Sequence, residues 1–423
     1  MSNVAGGFKC PQTSFVMSTG SALVVLVDVQ CFYELSAENR RGKLVLQGLD
    51  SPVHGLGAHP DLPLVAVCGS SGFLHVWNYE LRALHQVRVF EKLVPQVLSF
   101  SPCGSLLAVG FSNGVVKILK SHDLSDLASF RDSRDGVTHL TFSSDSAHLA
   151  TAHMDLCVCL YRFSHRNNDT TYPAEWVGAG KHRSHWKRVV GLIFSLEGEA
   201  RLFSLGEDRR LVEYDLPRSS EFSGLLIAKT IKVTESSLPT GMMWQRGTVI
   251  VSDNASKFRA WNPKDQTCRS TTLAPTEGGH VTQIAGWNNS FAVYSTVDKV
   301  VGLVKLPLDG SPSGASGIIA HPGKISAVAV DHKLRYVFTV GGVDLTLNMW
   351  AVNTGAIDQH AGKGLARYMP LIEGGADGLF FSEMKDYFDY AQIQSQPADT
   401  TRSGKFEGTV PVTALPSLMS ALG

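Results

Sequence analysis

A β-propeller of seven blades is the fold that this sequence predicts, and three repeated features predict it. Between residues 53 and 360 the chain repeats an apolar strand, a turn, a second apolar strand, a tight polar turn and a third strand that ends near an aromatic residue. The units begin 39 to 53 residues apart, close to the period of about 40–45 residues of four-stranded propeller blades. Four units also place an Asp six residues before the aromatic position. We therefore expect an all-β fold of seven blades, with eight blades as the alternative.

The third strand of each unit shows the repeat best. Its seven copies are GFLHVWN (72–78), GVVKILK (114–120), LCVCLYR (156–162), RLVEYDL (210–216), KFRAWNP (257–263), VVGLVKL (300–306) and LTLNMWA (345–351). The first strands of the units begin near Val53, Val97, Val137, Val190, Met242, Val281 and Ile325. Because stacked blades bury one continuous core, we predict a single propeller domain over residues 51–360, although a length of 423 residues would otherwise indicate more than one domain.

The last unit, at 325–360, has a weak fourth strand, because its segment NTGAIDQH is short and mostly polar. Residues 1–50 contain strand-like stretches, among them SALVVLVD and QCFYELS, with a weaker repeat. The open outer edge of the last blade would be covered if this N-terminal segment supplied its fourth strand. We therefore expect residues 1–50 to close the ring in this way, or to be the end of a preceding propeller.

Beyond residue 360 the apolar periodicity changes from that of strands to that of helices. Apolar residues fall on one helical face from Phe380 to Ala391, and a second short helix is predicted after Pro411. Five aromatic side chains lie between residues 380 and 390, and aromatic-rich helices favour interfaces. We expect residues 361–423 to be a C-terminal helical extension. Its candidate partner-binding residues are Phe380, Met384, Tyr387, Phe388 and Tyr390.

The composition narrows the class of protein. The chain has 38 Lys and Arg against 38 Asp and Glu, whereas proteins that bind nucleic acid over their whole surface carry a basic excess. Seven Cys are scattered through the chain, several of them in strand-like segments where reduced thiols act as small apolar groups. The N-terminus has no basic start with an apolar block, and no apolar run is long enough to span a membrane. We therefore expect an intracellular protein that binds neither nucleic acid nor a membrane.

Throughout residues 51–360 the units resemble the blades of the WD-repeat family. In that family the Asp between the second and third strands accepts hydrogen bonds that tie its turn to a His before the first strand. The resemblance therefore implies a structural and not a catalytic role for these residues. The residues that fit the pattern here are Asp155, Asp208, Asp298, His321, Asp344 and Trp350. Three units depart from it, because Ser71, Asn113 and Ala255 stand where the Asp is expected.

Two side-chain pairs have spacings that a metal site could use, namely His182 with His185 and Cys157 with Cys159. Nothing in the sequence brings the pairs together, and a zinc site needs four convergent ligands, so we predict no metal. The sequence also lacks a complete phosphate loop, a nucleophile elbow and a paired-His zinc helix. We predict no catalytic residues, no cofactor and no enzymatic activity.

One stretch of the chain is distinctly basic. Lys181, Arg183, Lys187 and Arg188 occur within eight residues, and no acidic residue occurs from 177 to 196. A solvated loop is one interpretation of this stretch. The other is a contact with an anionic protein partner, which makes the four basic residues candidate partner-binding residues.

The C-terminal extension resembles a more specific family. Its segment YMPLIEGGADGLFFSEMKDYFDYAQIQSQPADTT, followed by LPSLMSALG, is similar to the C-terminal region of the WD-repeat subunits of the calmodulin- and spoke-associated complex, within the cilia- and flagella-associated protein family. The matching residues are Glu373, Gly374, Gly375, Asp386, Tyr387, Phe388, Tyr390, Ala391 and Gln392. In that family a propeller is followed by an acidic aromatic helix and an EF-hand-like segment, so we expect this chain to be a C-terminal portion.

The resemblance implies a non-enzymatic scaffold in the axoneme of cilia and flagella. It implies a position at the radial spoke base on doublet microtubules, a role in ciliary motility, and calmodulin and other spoke-associated subunits as partners. Residues 361–423 would include the start of the EF-hand-like segment, but no complete calcium loop occurs before Gly423, so calcium binding by this chain is not expected. The alternative function is that of a WD-repeat adaptor in another intracellular multi-subunit assembly.

Overall fold

The computed structural model describes residues 13–18, 21–26, 31–36, 39–47, 51–165, 174–276, 278–286, 289–311, 314–342, 344–354, 374–395 and 409–421. The chain divides into two compact units, Met1–Asn353 and Thr354–Gly423. The first unit is built from strands and the second from helices.

The first unit begins with an antiparallel sheet of four strands in sequence order. They are β1 (Thr13–Ser18), β2 (Ser21–Leu26), β3 (Cys31–Ser36) and β4 (Asn39–Gln47).

The next strands form blades 1 to 4, each an antiparallel sheet with its strands in sequence order. Blade 1 contains β5 (Val53–Ala58), β6 (Leu64–Gly69), β7 (Phe73–Asn78) and β8 (Ala83–Val89). Blade 2 contains β9 (Pro95–Phe100), β10 (Leu106–Phe111), β11 (Val116–Lys120) and β12 (Asp126–Phe130). Blade 3 contains β13 (Val137–Phe142), β14 (His148–His153), β15 (Cys157–His165) and β16 (Ala174–Arg183). Blade 4 contains β17 (Val189–Phe194), β18 (Leu202–Gly206), β19 (Arg210–Ser220) and β20 (Gly224–Lys232).

Blades 5 to 7 continue the same arrangement. Blade 5 contains β21 (Pro239–Gln245), β22 (Thr248–Asp253), β23 (Lys257–Asn262) and β24 (Thr267–Leu273). Blade 6 contains β25 (Val281–Gly286), β26 (Phe291–Thr296), β27 (Val300–Lys305) and β28 (Ala315–Ile319). Blade 7 contains β29 (Ile325–Val330), β30 (Tyr336–Gly341) and β31 (Thr346–Ala351).

Burial within a blade follows the position of the strand. The second strands β6 and β26 are buried along their whole length, because the neighbouring blades cover both of their faces. For this reason the sequences of these strands are mainly apolar and do not alternate between apolar and polar residues. The outer strands β8 and β24 are largely exposed.

The blades form a closed ring. The first strands of consecutive blades are neighbours from β5 to β29, and β29 contacts β5. The backbone N–H of Val53 donates to Gly342 O at 3.1 Å across this junction. Shared apolar clusters join the blades, such as the one that packs Val53 and Val67 of blade 1 with Phe338 and Val340 of blade 7. The predicted seven-bladed propeller is confirmed.

The way in which the ring closes differs from our expectation. Within the described residues, β1 to β4 pair only with one another, so blade 7 keeps three strands and receives none from the N-terminal segment. β1 pairs with β2 and β3 pairs with β4, and pairing between strands adjacent in sequence has a smaller loop-closure cost than a distant pairing. Residues 355–360 of the expected weak fourth strand lie outside the described residues. That residues 1–50 end a preceding propeller stays a prediction.

Side chains complete the closure between blades 7 and 1. The ring centroid of Tyr79, just after β7, lies 5.0 Å from that of Phe338 in β30. Its hydroxyl donates to the buried carboxylate of Asp331 and lies 2.9 Å from His332 Nδ1. Arg335 Nε lies 3.5 Å from the same carboxylate. An apolar contact and a buried polar cluster thus hold the two blades together.

The second unit contains the two predicted helices. A 3₁₀ turn, Gly375–Asp377, precedes α1 (Leu379–Gln394), and a second 3₁₀ turn, Val412–Ala414, leads into α2 (Leu415–Ala421). Gly378 precedes α1 in extended conformation.

Candidate partner-binding surfaces

The predicted pair His321 and Asp344 lies in a chain of hydrogen bonds inside blade 7. His321 Nδ1 is 2.8 Å from Asp344 Oδ2, and His321 Nε2 is 2.7 Å from Thr339 Oγ1. Thr339 Oγ1 also accepts the indole N–H of Trp350 at 2.9 Å. The backbone N–H of Thr346 donates to Asp344 Oδ1 at 3.2 Å. These bonds tie the loop before β29 to the second and third strands.

Blade 4 contains a matching chain of hydrogen bonds. His185 Nδ1 lies 3.0 Å from Asp208 Oδ1, and His185 Nε2 lies 2.7 Å from Ser204 Oγ. Ser204 Oγ is 2.8 Å from the hydroxyl of Tyr214, which occupies the position that Trp350 has in blade 7. Burial acts to raise the pKa of Asp208, but the hydrogen bond and charge of His185, together with the backbone N–H groups of Arg210 and Trp186, outweigh it, so this pKa lies below its ordinary value.

The structural role of His185 was missed in the sequence. His185 is buried beside Asp208, whereas His182 is exposed with Nδ1 3.2 Å from Ser184 Oγ, so the two do not form a metal-binding pair. The position of His185 in the repeat could have indicated its structural role, because His185 stands four residues before β17, as His321 stands four residues before β29. The backbone also leaves room for the pair, since a Cβ on Gly206 would lie 2.4 Å from His185 Nδ1.

Blade 3 uses Ser133 where blades 4 and 7 use His. Ser133 Oγ donates to Asp155 Oδ2 at 2.8 Å, and the backbone N–H of Cys157 donates to Asp155 Oδ1 at 3.0 Å. Burial acts to raise the pKa of Asp155, but these two hydrogen bonds lower it below its ordinary value. The hydroxyl of Tyr161 donates to Asp132 Oδ2 at 2.7 Å, whereas the hydroxyl of the corresponding Tyr214 in blade 4 bonds to Ser204.

Blades 5 and 6 depart from the predicted pattern. In blade 5 the buried Asp253, which stands two residues before the position that the family pattern indicates, accepts the hydroxyl of Ser237 at 2.8 Å and the backbone N–H groups of Ala255 and Lys257 at 3.0 Å each. In blade 6 the predicted Asp298 is exposed, and its carboxylate accepts no hydrogen bond from any described residue. Asp298 therefore lacks the buried contact that the resemblance implied.

The four basic candidates lie on two neighbouring elements, and all four are exposed. Lys181 and Arg183 are in β16, the outer strand of blade 3, and Lys187 and Arg188 are in the loop that leads into β17 of blade 4. Lys181 Nζ donates to the backbone carbonyl of Asp132 at 3.1 Å, and it forms no ion pair with an acidic side chain among the described residues.

An exposed aromatic residue within the basic loop was also missed. The guanidinium carbon of Arg210 lies 3.8 Å from the centroid of the Trp186 indole ring, and 57% of Trp186 is exposed. The sequence signal was an apolar residue between basic ones in KHRSHWKR.

The five aromatic and apolar candidates of α1 divide into two groups. Phe380, Tyr387 and Tyr390 are exposed, whereas Met384 and Phe388 are half-buried. The predicted apolar face is thus split between side chains that pack and side chains that face solvent. Only the exposed group is available to a partner without disturbing the helix.

The described residues contain no group of three or more His, Cys, Asp or Glu side chains arranged to hold a metal ion. Cys157 is half-buried and Cys159 is buried, and both are free thiols. None of the helices in the described part of the chain is long and apolar enough to cross a membrane.

Comparison with known proteins relates both the fold and the sequence to others. The WD domain, G-beta repeat, family model matches residues 124–162. Cilia- and flagella-associated protein 251 of Pongo abelii is 32% identical over 97% of this chain and 36% of the relative. The protein of the same name from Tetrahymena thermophila is 28% identical over 98% of this chain and 47% of the relative. The chain thus spans less than half of the length of these relatives.

The fold has solved counterparts. One of them is a chain in the crystal structure of the mitotic checkpoint complex, and the match covers 71% of this chain and 89% of that chain. The TM-score is 0.56 and the sequence identity is 19%, so the similarity concerns the fold alone. The seven-bladed ring, the WD repeat and relatives that match almost the whole sequence converge on one family. Over almost its whole length the chain is similar to cilia- and flagella-associated WD-repeat proteins.

Proposed function

We propose that this chain is a non-enzymatic axonemal scaffold, a WD-repeat subunit of the calmodulin- and spoke-associated complex at the radial spoke base on doublet microtubules. The observation that carries the proposal is the match to ciliary relatives over 97% of the chain, which includes the acidic aromatic helix that follows the propeller. The protein acts in the cilium or flagellum, where it supports motility by holding other subunits. Its polar residues in the blade turns serve the fold, and we assign it no cofactor.

The proposed partners are calmodulin, other protein subunits of this complex and the doublet microtubule, with no nucleic acid and no membrane. Two features support docking of proteins: the exposed basic residues of blades 3 and 4, and the exposed aromatic group of α1. Residues 51–360 provide the rigid propeller, and residues 361–423 provide the extension. We propose that residues 1–50 are the end of a preceding propeller.

Localisation and co-purification test the proposal. A tagged copy expressed in ciliated cells should enter the axoneme and co-purify with calmodulin and radial spoke proteins. A tagged copy that remains outside the cilium and co-purifies with subunits of another assembly would instead support the alternative role of a WD-repeat adaptor elsewhere.

The basic residues allow a second test. Replacing Lys181, Arg183, Lys187 and Arg188 by Glu should weaken co-purification, and more so at low salt, because exposed charges are screened over about 10 Å at 0.1 M salt. The matched control reverses four exposed basic residues of other loops and strands, which are Arg82, Arg218, Lys264 and Arg269. Equal recovery of partners by both variants would show that the four basic residues are solvated and bind no partner.

A further inference from the structure

Trp186 and Arg210 form a stacked pair at the start of blade 4. Trp186 lies in the loop before β17 with 57% of its surface exposed, and Arg210 is the first residue of β19. The guanidinium carbon lies 3.8 Å from the indole centroid. Indole is the best aromatic partner for a guanidinium, and stacking leaves the N–H groups in the guanidinium plane free to bond outward.

The buried carboxylate of Asp208 positions both members of the pair. Asp208 Oδ2 accepts the backbone N–H of Trp186 at 3.3 Å, and Asp208 Oδ1 accepts that of Arg210 at 3.2 Å. His185 Nδ1 lies 3.0 Å from Asp208 Oδ1 and 3.1 Å from Asp208 Oδ2, and so also holds the carboxylate. Because one rigid group holds both backbones, the stack is ordered before any partner arrives, which lowers the entropic cost of binding.

The guanidinium of Arg210 retains unused donors. Among the residues described here, none accepts a hydrogen bond from it or forms an ion pair with it. Lys187 and Arg188 add two exposed positive charges in the same loop as Trp186. Glu235 is paired with Lys232, the residue opposite Arg210 in the neighbouring strand β20. The surface is therefore cationic, with a pre-arranged guanidinium that lacks an anion.

We propose that the Trp186–Arg210 pair is a docking site for an acidic segment of a partner protein. A carboxylate of the segment accepts two parallel N–H bonds from Arg210, and a neighbouring apolar side chain packs on the exposed part of Trp186. The planar guanidinium fork matches the two oxygens of a carboxylate, and charge complementarity selects an acidic sequence.

A long polyanion fits this surface less well than a short acidic segment. Glu207 lies in the turn next to Asp208 and places a negative charge beside the pair, which a continuous polyanion would have to pass and a short acidic segment would not. The proposal rests on the scaffold function only for the identity of the partner, because the site itself can be tested on the purified chain.

The test measures binding of a fluorescent 12-residue peptide of glutamates with two central leucines to the purified 423-residue chain. The same peptide with Gln in place of Glu, and a single-stranded DNA of 12 nucleotides, are the competing probes. We expect the Glu peptide to bind best, and Arg210→Gln or Trp186→Ala to weaken it by about tenfold, as expected for loss of a charge-assisted, stacked contact. Arg210→Lys keeps the charge but loses the fork, and should also weaken binding.

The matched controls are Arg218→Gln and Phe222→Ala, which remove an exposed Arg and a fully exposed aromatic from the same blade. Both should bind the Glu peptide as the unaltered chain does. If the Arg210→Gln variant unfolds at a lower temperature than the unaltered chain, peptide binding by the Arg210→Lys variant is the deciding measurement. Equal binding of the Glu and Gln peptides, unchanged binding by the Trp186 and Arg210 variants, or tighter binding of DNA at the same residues would overturn the proposal. A failure of the tagged chain to reach cilia would contradict the scaffold function but not this peptide result.

Discussion

His185 Nδ1 lies 3.0 Å from Asp208 Oδ1, and neither side chain is exposed to solvent. The carboxylate also accepts the backbone N–H groups of Trp186 and Arg210. Asp208 therefore joins the loop before blade 4 to the turn between its second and third strands. Its removal would take this acceptor away from the buried His185 and from the backbone N–H groups of Trp186 and Arg210.

We expect Asp208→Ala to lower the free energy of unfolding by at least about 2 kcal/mol, because each buried donor left unpaired costs about 1–3 kcal/mol. Urea denaturation followed by circular dichroism measures the loss. Asp298→Ala is the matched control, since Asp298 occupies the corresponding turn of blade 6 but is exposed, and it should change stability little. Equal losses for the two variants would contradict a special role for the buried pair.

Tyr79→Phe tests the closure of the ring between blades 1 and 7. The change keeps the aromatic contact with Phe338 but removes the hydroxyl that bonds to buried Asp331. We expect a loss of about 1–2 kcal/mol in the free energy of unfolding, because the buried carboxylate loses one of its hydrogen-bond donors. Tyr336→Phe is the control, because the hydroxyl of Tyr336 bonds to no described residue. A stability unchanged by Tyr79→Phe would show that the apolar cluster alone closes the ring.

His139, in the first strand of blade 3, should make stability depend on pH. Burial, and next the positive charge of Arg188, lower the pKa of His139 from 6.5 to about 4. Between these two values the unfolded chain binds more protons than the folded chain, so the contribution is complete above pH 6.5 and is lost as the pH falls toward 4. The loss attributable to this residue is at most about 3 kcal/mol, from 1.36 kcal/mol per pKa unit.

Denaturation midpoints measured from pH 7 to pH 4.5 check this expectation. His139→Gln should flatten the decline relative to the unaltered chain, and Arg188→Gln should raise the pKa of His139 in an NMR titration. Parallel pH profiles for the unaltered chain and His139→Gln would show that other groups cause the decline.

The ring could be predicted from the sequence because strand and turn signals recur in every blade. The predicted start of the first strand coincides with the observed start for β5, β13, β25 and β29. Asp344 and His321 could be paired in advance because the last blade carries the complete family pattern. Asp253 could not, since it stands two residues before the expected position and its partner Ser237 depends on the conformation of the preceding loop.

Contacts between distant parts of the chain could not be predicted from the sequence. Tyr79 and Asp331 lie 252 residues apart, and no local pattern connects them. The exposed Trp186 could be read only as one apolar residue among basic ones, because its stacking on Arg210 depends on how Asp208 holds two separate backbone segments. Periodicity records local structure, whereas these relationships arise from packing.

The exposed aromatic group of α1 provides the last prediction. Tyr387 and Tyr390 face solvent, whereas Phe388 is half-buried. Aromatic anchors often cost about 2 kcal/mol or more of binding energy when they are truncated. We therefore expect Tyr387→Ser with Tyr390→Ser to reduce co-purification of calmodulin and spoke-associated subunits while the helical circular dichroism signal stays unchanged.

Phe388→Ser separates partner binding from helix packing. It should lower the helical signal, because it removes a half-buried apolar side chain, and it should disturb binding only through that loss of structure. Deleting residues 361–423 should leave the propeller folded and remove the same partners, because the helices form a compact unit of their own. If the double Tyr variant and the deletion both recover calmodulin and the spoke-associated subunits at the level of the unaltered chain, the blades select the partners and the helix does not.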